Sequence, residues 1–348
     1  MLPTQWRERL RLPAMAAPMT DVSGPELVAA ACAAGVIGTF PAHNAADSGE
    51  LGRWLHRIGE QVAVRTPPGR RAAPVGVNLV VHRSNARLAD DLRTVIRGGA
   101  EVVVASVGTP REIVGPLHDA GIIVLADVAS LRHLQRAAAS GVDGVVLLTA
   151  GAGGQTGWAN PFAFLRAARQ RYDGIVAIAG GISDGAGILA AQVLGADLAY
   201  LGTRFIATTE SLASPAYRDA VVAATLDDVT ASRQVTGLPA NVLTDWLRGV
   251  DPATPCAASD GQALRGPAPA GPASAGPAPD GPASRGPAPD GFSVDRLLAR
   301  RGVWAAGHSV SGTDAVIRVA ELVTRLEREL ELARQQLLPA DMPAARCR

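Results

Sequence analysis

Three glycine-rich segments carry most of the chemistry that the sequence offers. Ala179-Gly180-Gly181-Ile182-Ser183-Asp184-Gly185 runs into a helical pattern, and Tyr200-Leu201-Gly202-Thr203-Arg204-Phe205 follows it. Glycines let main-chain amides close around a phosphate, and a helix N-terminus adds unpaired N–H groups and a favourable dipole. Thr203 supplies a hydroxyl for the same ligand and Arg204 a charge at its rim. Two such clusters in succession predict a phosphate-bearing ligand, whereas either alone reads equally well as a tight turn. The third segment, Thr149-Ala150-Gly151-Ala152-Gly153-Gly154-Gln155-Thr156-Gly157-Trp158, lets main chain lie against a flat ligand and delivers Gln155 and Trp158 over it.

Around these stand a few polar side chains. Asn78, in Gly76-Val77-Asn78-Leu79, either hydrogen-bonds a ligand or caps a strand end. His43, in Pro41-Ala42-His43-Asn44, and His308, in Gly307-His308-Ser309, sit in loops where they reach a substrate or face solvent. Asp127 contacts a ligand or orients a neighbouring loop. The remaining histidines have no partner pattern, and no His/Asp/Glu spacing resembles a metal site. Neither a nucleophile elbow nor a paired-carboxylate motif occurs.

The elements that must hold these groups alternate from Ala14 to about Thr209. Short apolar runs at Ala14–Met19, Val36–Thr39, Val75–Val80, Glu101–Ala105, Ile122–Ala126, Gly144–Leu148, Ile175–Ala179 and Leu198–Gly202 have strand length and nearly continuous apolar character. Parallel strands buried on both faces look like this. Between them, segments such as Gly24–Ala34, Arg87–Arg97, Arg111–Asp119 and Asp184–Leu194 have helical spacing. Eight such units predict an α/β fold, a closed (β/α)8 TIM barrel, with a doubly wound open sheet as the alternative. The two phosphate-type clusters then follow the seventh and eighth strands, where such barrels keep phosphate sites. Asn78 and Asp127 end the third and fifth.

The barrel is expected over 1–210, followed by a helical extension over 211–250, with Pro215–Leu226 and Asn241–Arg248 as its helices. Residues 251–291 form a Gly/Pro/Ala-rich linker insertion. Within it, Gly266–Asp290 repeats Gly-Pro-Ala-(Pro/Ser)-(Ala/Asp/Arg), a period of five that excludes collagen and predicts disorder. Residues 292–348 are a C-terminal segment packing back on the barrel, with a helix over Asp314–Leu338.

Composition narrows the class. A net charge of +1 speaks against nucleic-acid and membrane-surface binding. All 33 basic residues are Arg, so Schiff-base lysine chemistry and P-loop phosphate transfer are excluded. The three cysteines, Cys32, Cys256 and Cys347, show no C-x-x-C spacing, which leaves no zinc site or disulfide framework. The N-terminal MLPTQWRERLRLP lacks the apolar core of a secretory signal. The uncharged stretch Gly144–Leu165 is broken by glycines, Gln155, Asn160 and Pro161, so it is not read as a membrane span. A soluble cytoplasmic protein is expected.

The ordered set Ala17-Pro18-Met19, Ser23-Gly24-Pro25-Glu26-Leu27, Gly76-Val77-Asn78, Ala152-Gly153-Gly154, Ala179-Gly180-Gly181-Ile182, Leu194-Gly195-Ala196-Asp197, Gly202-Thr203-Arg204-Phe205 and Trp304-Ala305-Ala306-Gly307 resembles the nitronate monooxygenase family. These are FMN-dependent barrels related to flavin enoyl-reductases. The resemblance covers nearly the whole chain outside the linker. It implies FMN with its phosphate on the loops of Gly180, Gly181, Gly202 and Thr203, and its ring near Ala17, Pro18, Met19, Asn78 and Gly153. Charge developing at the flavin N1 and O2 needs a cation or dipole; without Lys, that would be Arg, a helix N-terminus or backbone amides. The family's His after the Gly-Gly pair is replaced here by Gln155, an amide that cannot take a proton.

Gln155 would then hydrogen-bond a preformed nitronate, or His43 or His308 would serve as the base, or the substrate would not be a nitroalkane. The implied activity is oxidation of alkyl nitronates with O2. The alternatives are an NAD(P)H-dependent flavin reductase acting on a quinone or an enoyl/acyl-CoA substrate, and a barrel that binds FMN or another phosphate ligand without turnover.

Overall fold

The computed structural model describes residues 2–235, 237–249, 294–299 and 302–337. Its strands are β1 (Ala14–Ala16), β2 (Ile37–Pro41), β3 (Val75–Val80), β4 (Val102–Ser106), β5 (Ile123–Val128), β6 (Gly144–Leu148), β7 (Gly154–Gln155), β8 (Ile175–Ala179), β9 (Leu198–Leu201), β10 (Val229–Ser232) and β11 (Ala240–Leu243). Strands β1 to β6, β8 and β9 close a parallel barrel in chain order, with β9 pairing back onto β1 through Met15 opposite Tyr200. The expected closed barrel is therefore present, and the open sheet is excluded.

The alternation within each strand builds two cores. Met15, Ile37, Val102, Val104, Leu125, Val146, Ile175 and Leu198 point inward and fill the barrel, and the short helix Thr4–Arg7 buries Trp6 against this set. Their neighbours Val103, Ala105, Val124, Val145 and Val176 point outward and meet the helices. A barrel interior packed in this way leaves the rim at the C-terminal strand ends as the place for a ligand.

Residues 211–250 differ from expectation. The helix Pro215–Ala223 is present, but Asn241 lies in strand β11 and the next helix begins at Thr244. β10, β11 and β7 form a separate antiparallel sheet, with Ala240 opposite Gln155 and Asn241 opposite Gly154. All four residues of β11 are buried, so it shows no alternation, and an apolar run this short does not distinguish strand from helix.

The last helix covers Val319–Leu337 and buries Val319, Leu322, Val323, Leu326 and Leu330 on one stripe. It packs on the helices Gly185–Leu194 and Pro25–Ala34. Gly185 makes the approach possible, since a Cβ there would lie 1.9 Å from the Leu330 nitrogen. Asp314 precedes this helix and forms a two-pronged ion pair with Arg325, at 2.8 and 2.9 Å. The linker expected over 251–291 lies outside the described residues. Among those described, no helix is long and apolar enough to cross a membrane.

Candidate active site

A cavity of about 220 Å³ opens at the C-terminal ends of the barrel strands. One wall is backbone. The turn after β8 carries Gly180 at φ 130° and Gly181 at φ 74°, a region that glycine enters without a steric penalty. A Cβ on Gly180 would lie 2.1 Å from the Thr149 hydroxyl oxygen, whereas nothing lies within 4 Å of one on Gly181. Gly202, after β9, is also open: a Cβ there would meet only Met19 Sδ at 3.6 Å and Ala17 Cβ at 3.7 Å. Thr203 is buried, and its hydroxyl oxygen accepts from the Gly307 amide at 3.0 Å, leaving its proton to donate.

The helix that follows this wall does not contribute in the expected way. Asp184 accepts from the Gly187 amide at 2.7 Å and Glu329 from the Gly185 amide at 3.1 Å, so two of its N-terminal donors are already taken by carboxylates. Arg204 differs too. Its guanidinium is buried outside the cavity and donates to the Gly312 carbonyl, and its Nε has no partner. Burial first, then neighbouring Arg325, lowers its pKa. Among the described residues no Arg lines the cavity, so of the expected alternatives Arg, a helix N-terminus and backbone amides, the first is not offered by these residues.

The roof is the loop after β6, and it is pinned from two sides. Asn241 donates to the carbonyls of Ala150 at 2.9 Å and Ala152 at 2.7 Å. The His308 amide donates to Gly151 O at 3.0 Å. Gly153 lies so close to the Ala306-Gly307 segment that a Cβ would sit 2.7 Å from the Gly307 nitrogen. Gln155 thereby faces the cavity from β7, held in a sheet. Trp158 does not join it and is 59% exposed.

The opposite wall is made of side chains from three consecutive strands. Asn78 on β3 is buried and donates through Nδ2 to Val104 O and to Ser106 Oγ, each at 3.0 Å, which leaves its carbonyl oxygen as an acceptor toward the cavity. Ser106 ends β4. Asp127 lies on β5; its Oδ1 is sealed from solvent and has no hydrogen-bond partner. Desolvation pushes its carboxyl up to about 7. Tyr200 faces the same space, and burial, then the field of Asp127, raises its phenol well above the ordinary value.

The loop after β1 completes the enclosure. Ala17, Pro18 and Met19 line the cavity. Their backbone is fixed by Ser23, which accepts from the Met19 amide at 3.0 Å, and by Asn44, which donates to Met19 O at 3.0 Å. His43 is buried beside them, its Nε2 3.0 Å from Thr20 Oγ1.

The structure thus brings together Ala17, Pro18, Met19, His43, Asn78, Gly153, Gln155, Gly180, Gly181, Gly202 and Thr203. His308 is not among them: it is exposed, and its neighbour Ser309 enters the cavity instead. Sequence reasoning also missed Ser106, Tyr200 and Ser309 as lining residues, and Asn241 as the clamp of the roof. The segment containing Ser309 was visible, but not which of its residues turns inward.

Residues 7–329 match the family profile described as "Nitronate monooxygenase". A nitronate monooxygenase from Paraburkholderia phytofirmans is 27% identical over 93% of this chain and 94% of its own length. A (3aS,4S,5R,7aS)-5-hydroxy-7a-methyl-1-oxo-octahydro-1H-indene-4-carboxyl-CoA dehydrogenase from Rhodococcus jostii is 30% identical over 66% of this chain and 62% of its own. That second match spans less than two thirds of the relative. Among solved structures, the nitroalkane oxidase from Streptomyces ansochromogenes superposes with a TM-score of 0.74 at 24% identity, covering 94% of this chain and 99% of that one. FabK from Thermotoga maritima gives 0.72 at 21%, covering 97% and 99%. These two likenesses concern the fold.

Proposed function

The chain belongs to the nitronate monooxygenase family of flavin oxidoreductases, and we propose that it holds FMN and oxidises alkyl nitronates with O2. The observation that carries this reading is one cavity that joins an open glycine cradle to an enclosed space under Gln155. The residues fit the cofactor. Gly180, Gly181, Gly202 and Thr203 offer backbone amides and a hydroxyl to a phosphate. Ala17–Met19 and Gly153 offer a surface to a flat ring, and Asn78 an amide to its edge. FMN supplies the electron acceptor for the substrate.

The chain's own residues then orient the substrate and keep water out. Gln155, fixed by the pairing of β7 with β11, donates a hydrogen bond to the nitro oxygens of an anion that has already lost its proton. His43 stands at the same cavity as the candidate base for a neutral nitroalkane. A second reading, an NAD(P)H-dependent reductase acting on a quinone or an enoyl/acyl-CoA thioester, is favoured by two observations. One is the amide at position 155; the other is the CoA substrate named for the Rhodococcus jostii relative.

The test is an absorbance spectrum of the purified protein, then anaerobic mixing with propionate 3-nitronate and, separately, with NADPH. Bleaching by the nitronate alone is expected. Bleaching by NADPH alone moves the protein to the reductases. Flavin that no donor bleaches indicates a binding protein without turnover, and a spectrum without flavin bands ends the FMN reading.

A further inference from the structure

The side-chain wall of the cavity contains a group that the proposed reaction does not use. Asp127 lies at the C-terminal end of β5, between strands that bring Ser106 and Leu148 to the cavity and no charged group. The other titratable residues lining the space are Asp21, His43, Tyr200 and Tyr217. Asp21 accepts from the Gly302 amide at 2.8 Å and Tyr217 donates to Ala305 O. His43 is engaged with Thr20, and Tyr200 stays neutral. Among the described residues no Arg lines the wall to compensate a charge on Asp127. A buried polar atom without a partner is costly, so the sealed Oδ1 disfavours the charged form, and Asp127, which is partly exposed and lines the cavity, meets a ligand through its other oxygen.

The barrel order brings a ligand to that other oxygen. Gly181 and Gly202 follow β8 and β9, and β3, β4 and β5 lie across the barrel from them. A ligand whose phosphate sits on the glycine turns and whose ring crosses the mouth therefore meets Asn78, Ser106 and Asp127 with its far edge. The pyrimidine edge of a flavin alternates carbonyl acceptors with an N–H donor. Asn78 presents an acceptor, and a protonated carboxyl presents a donor.

We propose that Asp127 is a ligand-contacting acid, whose neutral carboxyl donates a hydrogen bond to a carbonyl of the flavin's pyrimidine edge, beside Asn78 Oδ1, which accepts from the ring N–H. This rests on the FMN reading above. It assigns to a side-chain acid the place where a lysine-free chain has no ammonium and where, among the described residues, this cavity has no guanidinium. Flavin binding is then linked to a proton. Only the protonated site binds tightly, so affinity falls as pH rises through the carboxyl's own titration at about 7.

The experiment is FMN titration of the full-length apoprotein from pH 5.5 to 8.5, in wild type and Asp127→Asn. The asparagine amide keeps a donor and cannot ionise. Dividing the two dissociation constants also cancels the titration of the FMN phosphate. The wild-type to variant ratio is expected to be flat below pH 7 and to rise about tenfold per unit above it. A flat ratio throughout, or one that falls with pH, overturns the assignment while leaving FMN binding intact. Wild-type protein that binds no FMN at any pH overturns the flavin reading and this inference with it.

If Asp127→Asn does not fold, calorimetry of wild type at pH 8 in two buffers of different ionisation enthalpy reads the same quantity. The FMN phosphate is already a dianion there, with its second pKa at about 6. Close to one proton taken up per FMN is expected, and none overturns the proposal.

Discussion

The two walls of the cavity recognise a ligand by opposite means. The wall after β8 and β9 is backbone, shaped by glycines whose φ values and close neighbours leave no room for another residue type at some positions. The wall at the ends of β3, β4 and β5 is side chain: an amide, a hydroxyl and a carboxyl whose hydrogen-bonding capacity is only partly used inside the protein. A backbone wall tolerates little change and does not respond to pH. A side-chain wall accepts substitution and responds to protonation. Binding affinity and its regulation are therefore separable by mutation.

The largest effect should come from the backbone wall. Gly180→Val forces a side chain at φ 130° to within 2.1 Å of the Thr149 oxygen, with the Ala152 nitrogen only 3.0 Å away. Relieving that clash moves the roof loop as well as the turn, so FMN affinity should fall by more than about 100-fold, the equivalent of about 3 kcal/mol. Flavin retained per protein after desalting measures it. Unchanged occupancy would mean that the phosphate is held elsewhere.

The clamp between the roof and the walls comes next. Asn241→Leu removes the donor for the buried carbonyl of Ala152 and one of two donors for that of Ala150, which keeps Thr156 Oγ1 at 3.3 Å. A buried acceptor left unpaired costs about 1–3 kcal/mol, so about 1–3 kcal/mol of stability should be lost. Thermal unfolding of the apoprotein checks this, and an unchanged Tm would show that the roof's order does not depend on β11.

That clamp also marks where the sequence stopped being readable. The eight barrel strands were legible to within a few residues because burial on both faces leaves continuous apolar runs bounded by polar turns. The glycine turns were legible because the residue type itself reports the backbone. The roof sheet was not: β7 has two residues, and its pairing with β11 joins positions that no local pattern connects. The same holds for Ser309 against His308. The 3₁₀ turn His308–Gly312, tied down by the His308 amide on Gly151 O, decides which neighbour turns inward. The sequence reads Arg204 as a rim charge, since the partner that draws it away, the Gly312 carbonyl, lies 108 residues further on. Asp127 could be assigned to a strand end from the sequence, but its lack of a partner is a property of three strands together.

The side-chain wall should reveal itself in the apoprotein before any ligand is added. Burial raises the Asp127 carboxyl from 3.8 to about 7. The folded state thus binds more protons than the unfolded one between about pH 4 and 7, and stability falls as pH rises through that window, then levels off. Asp127→Asn removes this loss. The variant should match wild type near pH 4 and exceed it at pH 8. The whole loss cannot exceed about 4 kcal/mol, and about 1–2 kcal/mol is expected because only one of the two carboxylate oxygens is sealed from water. Melting curves of both proteins at the two pH values decide it, and a constant difference would show that Asp127 is ordinary.

The smallest effect returns to the backbone wall and tests whether its two turns are equivalent. Gly202 has an ordinary φ of −103°, and a Cβ there would make only van der Waals contact with Met19 and Ala17. Gly202→Ala therefore carries no steric or conformational penalty in the apoprotein, and its Tm should stay within about 1 °C of wild type. The methyl group does stand in the space that a bound phosphate approaches, so FMN affinity should fall about fivefold to tenfold, roughly 1 kcal/mol. A selective loss of affinity at constant Tm locates the ligand against Gly202. Equal losses of both would make the glycine a packing requirement, and no loss of either would leave Gly180–Gly181 as the whole of the cradle.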